Sequence, residues 1–123
     1  MTDKTLAALD ASIVHWDDNA RAKTPSDASI RAADCALCRA FESPPCDGCP
    51  VARRTGTADC DGSPYYRARS LFYAWAAAPT PENAAAFRAA ATAERNFLVE
   101  TRQMYWKEQP ANAVNASVNG EKA

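Results

Sequence analysis

Residues 80–108, TPENAAAFRAAATAERNFLVETRQMYWKE, decide the fold class. Thr80 is a helix-capping residue, Pro81 suits the first helical position, and Glu82 puts negative charge where the helix dipole favours it. Behind that start, Ala84, Phe87, Ala91, Leu98 and Tyr105 recur at helical spacing, so 80–108 reads as one long helix with an apolar stripe. Phe97 and Met104 flank the stripe, Glu94 and Thr101 interrupt it as polar residues, and Pro110 closes the element.

Working towards the N-terminus, Ser63-Pro64 carries the same start signal, and Ala77-Ala78-Pro79 carries a stop, which predicts a helix over 64–78. A third helix is expected over 5–22, where Leu6, Leu9, Ile13, Trp16 and Ala20 recur at steps of three and four before Thr24-Pro25 breaks the run. The fold class is therefore mainly α. A loop-rich cysteine module over 35–63 lies between the N-terminal helix and the two C-terminal ones. Residues 1–109 are expected to form a single domain. Residues 110–123, rich in Asn, Ala and Ser, are expected to be a disordered tail.

Inside the module the spacing is Cys35-x2-Cys38-x7-Cys46-x2-Cys49-x10-Cys60. A two-residue gap lets both thiolates of one tight turn reach an ion about 2.3 Å away while turn N–H groups donate to the sulfurs. Two such turns supply a tetrahedral site, so the pattern predicts a structural zinc module. Cys60 is either a spare thiol or a replacement for one member of the first pair. Cys49-Pro50 also fits the Cys-Pro that ends bacterial ferredoxin runs, which keeps an iron–sulfur cluster as the alternative, with disulfides or plain buried thiols behind it. A thioredoxin-like dithiol at Cys46-Asp47-Gly48-Cys49 lacks the βαβ setting it needs.

Local structure in the module is mostly turns. Cys35-Ala36-Leu37-Cys38 is a knuckle or the opening of a short helix through Phe41. Ser43-Pro44-Pro45 is a rigid connector, Gly48 suits a positive φ, and Val51 to Thr55 make about one helical turn ended by Gly56. Arg39, Arg53 and Arg54 lie within the module, either offsetting the double negative charge of a four-thiolate site or simply exposed. His15, the sole histidine, reads as a packed helix residue, with a substitute zinc ligand as its sharper alternative.

Net charge is −1 and the pI about 5.8, which argues against a generic nucleic-acid binder. The first 34 residues carry six acidic and four basic side chains, residues 64–109 four and six, a mild asymmetry that solvated helix faces explain. There is neither a signal-like apolar run after Met1 nor the 18 or so apolar residues a membrane span needs, so the expectation is a soluble cytoplasmic protein with no membrane partner. Arg88, Arg95 and Arg102 repeat every seven residues, and with Trp106 they form the candidate contact surface, while Tyr73 is a further exposed aromatic. The bland reading of the arginine row is a helix flank whose stems cover the core edge. No nucleophile elbow, phosphate loop or paired-histidine motif is present, so no enzyme is expected.

Taken together, Ala8-Leu-Asp-Ala-Ser-Ile-Val-His-Trp16, Cys35-Ala-Leu-Cys38, Cys46-Asp-Gly-Cys49-Pro-Val and Cys60-Asp-Gly-Ser-Pro-Tyr65 resemble small Cys-rich hypothetical proteins encoded by bacteriophages and prophages. The matching pattern covers residues 8 to 65, about half the chain; where that group often has Thr before Pro64, this chain has Ser63. The resemblance implies a phage or prophage origin and includes Cys60 in the cysteine motif. It supplies no activity. The expected function is a phage-type accessory protein of the bacterial host cell that binds a host or phage protein; the alternatives are an iron–sulfur or thiol redox protein and a nucleic-acid-binding zinc module.

Overall fold

The computed structural model describes residues 3–41, 46–57 and 60–107. Among the described residues five α-helices follow one another: α1 (Asp3–Ala20), α2 (Ala36–Ala40), α3 (Pro50–Thr55), α4 (Tyr65–Ala77) and α5 (Pro81–Lys107). Short 3-10 turns occupy Pro25–Asp27 and Ala32–Asp34, and no strand occurs among the described residues. The chain is thus mainly helical, with its cysteines in the irregular stretch between α1 and α4. The Ser43-Pro44-Pro45 connector and the 110–123 tail lie outside the described residues.

Helix α5 is the spine. α1 packs along it most extensively, α4 next, α3 touches it more briefly, and α2 rests on α1. Small side chains make this possible, because Ala84, Ala90 and Ala91 on α5 and Ala68 on α4 are buried and let neighbouring backbones approach. Few large residues fill the core. Trp75 stacks on Phe87 with centroids 5.4 Å apart, and Phe72 meets the same ring edge-on at 5.7 Å. Burying each such side chain is worth about 1.5–3 kcal/mol. Leu9, Val51 and Leu98 complete the group of fully buried aliphatics.

Capping chemistry sets the helix ends close to the expected places. Thr80 Oγ1 accepts the Asn83 N–H at 3.1 Å, starting α5. At α4 the capping position falls on Pro64 rather than Ser63, although the Ser63 hydroxyl still accepts the Tyr65 N–H at 3.2 Å. Asn83 turns back and donates to the carbonyl of Ala78 at 2.8 Å, tying the α4–α5 corner.

The buried face of α1 differs from its apolar seam. Thr5, Ala8, Leu9, Ser12, Trp16 and Asn19 are buried, whereas Leu6, Ile13 and Ala20 are only partly covered. The reason is that α1 is covered from two sides, by α5 and by α2 with its preceding loop, so the buried arc rotates onto polar positions. Asn19 shows the use of one of them. Its Nδ2 donates to the Ser29 carbonyl at 2.8 Å and its Oδ1 accepts the Ser29 N–H at 3.1 Å, pinning the loop after α1 like a short piece of sheet. On α5, Met104 is 45% exposed and stands outside the packed stripe, while Glu94 and Thr101 are buried within it.

Candidate metal centre

Each cysteine is presented by a different local device. Cys35 caps α2, and its Sγ accepts the Cys38 N–H at 3.2 Å, the N–H to sulfur bond expected of a two-residue knuckle. Cys38 lies one turn on, in the helix itself. Cys49 caps α3, with Pro50 at the first helical position and Gly56 closing the helix at φ 78°. Between them, Cys49 N–H donates to the Cys46 carbonyl at 3.2 Å across a turn that contains Gly48 at φ 81°.

Cys46 (φ 66°) and Cys60 (φ 61°) are the only non-glycine residues with positive φ among the described residues. A side chain in this left-handed region costs about 1–2 kcal/mol. Such strain persists only where the surroundings over-determine it, and it clusters at ligand-holding positions. The Cys60 turn is held from behind. Its carbonyl accepts both the N–H and the hydroxyl of Ser63, at 3.1 and 2.7 Å, and Tyr65 next along donates its OH to the Ile30 carbonyl at 2.7 Å.

These devices bring all five cysteines to one cavity of about 200 Å³, whose wall also includes Ser12 and Trp16 from α1, Tyr65 from α4, and Glu94 and Leu98 from α5. No disulfide links them. The thiols ring this space without closing on a point: among the described residues, no three His, Cys, Asp or Glu side chains are gathered as ligands of one ion. The donor set nonetheless suits a soft divalent cation or a cluster, since five thiols share one apolar wall and no disulfide joins them.

Burial at this wall disfavours charge on Cys38, Cys49, Cys60 and Glu94. Cys35 is the exception: the Cys38 thiol donates to it, burial works against it, and backbone N–H groups of Cys38 and Leu37 together with Arg39 bring its pKa down to about 6. Cys38 is driven upward by that same shared proton and by burial. Burial pushes Cys60 up to about 12, with Glu94 and the other thiols adding to it, and burial also raises Cys49. Glu94 is pushed up to about 8, first by burial and then by Cys35. A divalent cation would reverse these tendencies, so metal uptake here would release protons.

Two buried side-chain oxygens among the described residues lack a hydrogen-bond partner, Ser12 Oγ and Glu94 Oε1, and both residues line this cavity. The sequence reading missed them. Glu94 was visible there as a polar residue in an apolar stripe; the position of Ser12 on the wall required the rotated arc of α1.

The other candidates are otherwise engaged. His15 Nε2 donates to the Ser29 carbonyl at 2.8 Å, and its ring meets Trp16 edge-on, as a packed helix residue. Arg54 reaches α5, donating to the Phe97 carbonyl (2.9 Å), Thr101 Oγ1 (3.0 Å) and Glu100 (3.1 Å), and Arg53 lies over the Tyr105 ring at 5.4 Å. Of the three module arginines, Arg39 is the one whose charge bears on Cys35. The row on α5 turns onto α1 and the turn that follows it: Arg95 pairs with Asp17 at 2.8 Å, Arg102 with Asp10 at 2.7 Å, and Arg88 donates to the Ala22 carbonyl at 3.3 Å. The Trp106 side chain lies outside the described residues, while Tyr73 is 53% exposed with Arg69 above its ring at 5.4 Å. No helix among the described residues is long and apolar enough to cross a membrane.

No family model, curated protein or solved structure matches the chain.

Proposed function

We propose that the chain is a phage- or prophage-type accessory protein of the host cytoplasm, in which a structural zinc–cysteine module shapes a helical surface that binds a macromolecular partner without catalysis. The observation that carries this reading is the convergence of five thiols, borne by four separate turns and helices, on one cavity against α1 and α5. A zinc ion there would cross-link stretches that have little core of their own and contribute folding free energy directly. The contact face this reading favours is the outer side of α4, where Tyr66 and Tyr73 are exposed on one face with Arg69 between them. Elemental analysis of the purified chain should find zinc in stoichiometric amount, and retention from a nuclease-treated host lysate should identify a partner that Tyr73→Ala loses. A metal-free native protein, or retention indifferent to Tyr73, would count against it.

An iron–sulfur cluster is the second reading, favoured by the cavity volume of about 200 Å³, which exceeds what one ion fills. Anaerobic purification separates the two, because a cluster is brown and carries acid-labile sulfide while a zinc site is colourless. Should the partner prove to be a nucleic acid, binding would weaken steeply with salt.

A further inference from the structure

Glu94 lies in mid-helix on the buried stripe of α5, between Ala91 and Leu98, and is 2% exposed. A buried carboxylate is expensive unless its charge is offset. Among the described residues no Lys, Arg or His forms an ion pair with it. The Ser63 hydroxyl lies within hydrogen-bond reach of both the Cys60 carbonyl and the Glu94 carboxyl, and Glu94 Oε1 still has no partner. What Glu94 does face is the cavity, together with all five thiols and the equally unpartnered Ser12 hydroxyl.

Resting on the zinc–thiolate reading, we propose that Glu94 is the sixth donor of a two-cation centre, in which its carboxylate and the thiolates of Cys35, Cys38, Cys46, Cys49 and Cys60 hold two zinc-class divalent ions. Coordination arithmetic favours this set. Two tetrahedral ions need eight bonds, and six donors supply eight when two of the sulfurs bridge. A single tetrathiolate ion would instead leave one thiol and an uncompensated carboxylate inside the same apolar wall. Charge agrees: six anionic donors and two divalent ions leave the same net −2 as one zinc with four thiolates. The volume of about 200 Å³ suits two ions better than one.

The test is anaerobic titration of the metal-stripped, reduced protein with Co²⁺, read by sulfur-to-cobalt charge-transfer absorbance, alongside zinc analysis of the protein as purified. The wild type should saturate at two equivalents and contain two zinc ions per chain. Glu94→Gln should saturate at one, and Glu94→Cys, which restores an anionic donor, should return to two, with far-UV circular dichroism confirming helical content in each. One equivalent in wild type and Glu94→Gln alike, or two in both, would overturn the role of Glu94 while leaving the thiolate module intact. No metal in any variant, or iron with acid-labile sulfide, would overturn the zinc–thiolate reading itself.

Discussion

Removing the Glu94 charge should change how the metal-free protein responds to pH. Its carboxyl is raised in the fold from 4.5 to about 8, by burial first and by Cys35 second. Between those values the folded chain holds a proton that the unfolded chain has released, so unfolding releases it and stability falls as pH rises through the window. Below about 4.5 and above about 8 this contribution is flat. At about 1.4 kcal/mol per tenfold change, the gap corresponds to roughly 5 kcal/mol across the whole window, a large part of a small domain's stability. Cys35 works in the opposite sense, since its lowered pKa adds stability as pH rises from about 6 towards 9. Wild type must therefore be compared with Glu94→Gln, in which most of the cysteine contribution cancels. In urea unfolding of the reduced, metal-stripped proteins, the variant should gain about 3–5 kcal/mol on the wild type between pH 5 and pH 9. A difference that stays constant across that range would refute the buried-carboxylate reasoning. Loading with Zn²⁺ should shrink the pH-dependent difference, because a cation removes the cause of the raised pKa.

Phe87→Ala should cost about 3–5 kcal/mol in urea unfolding, since the ring is fully buried, stacks on Trp75 and receives Phe72 edge-on; a cost below about 1 kcal/mol would contradict that packing. Asn19→Ala should cost about 1–3 kcal/mol, because it takes away the acceptor of the Ser29 N–H and leaves the Ser29 carbonyl to His15 alone. Hydrogen exchange at Ser29 should quicken with it, and unchanged exchange would oppose the assignment. Arg95→Ala should cost no more than about 1 kcal/mol, shrinking in high salt, because both it and Asp17 are about a third exposed; a larger, salt-insensitive loss would mean the pair is more than a surface staple.

How much of this was legible depended on whether a residue's task is local. The starts of α4 and α5 were, because Pro64, Thr80 and Pro81 act on their own backbone and leave the same mark in sequence as in structure. The buried arc of α1 was not, since period counting assumes one covered face and α1 has two, which brings Ser12 and Asn19 inside. Spacing identified the five cysteines, yet not that Cys46 and Cys60 take positive φ, a conformation that only surrounding structure can impose on a side-chain-bearing residue. Glu94 stood out as a polar break in an apolar stripe, and its meaning needed the position of the cavity. The arginine row was correctly spaced along α5, but its carboxylate partners, Asp10 and Asp17, lie on α1 about eighty to ninety residues away, beyond any helical pattern.

The most direct measurement of the central claim is native-state thiol labelling combined with metal release. Protein purified without chelator should protect its cysteines from alkylation, carry zinc, and lose both protection and thermal stability when EDTA removes the metal. If all five thiols alkylate readily in the native protein, and EDTA neither extracts metal nor lowers the melting temperature, the cysteine cavity is not a metal centre.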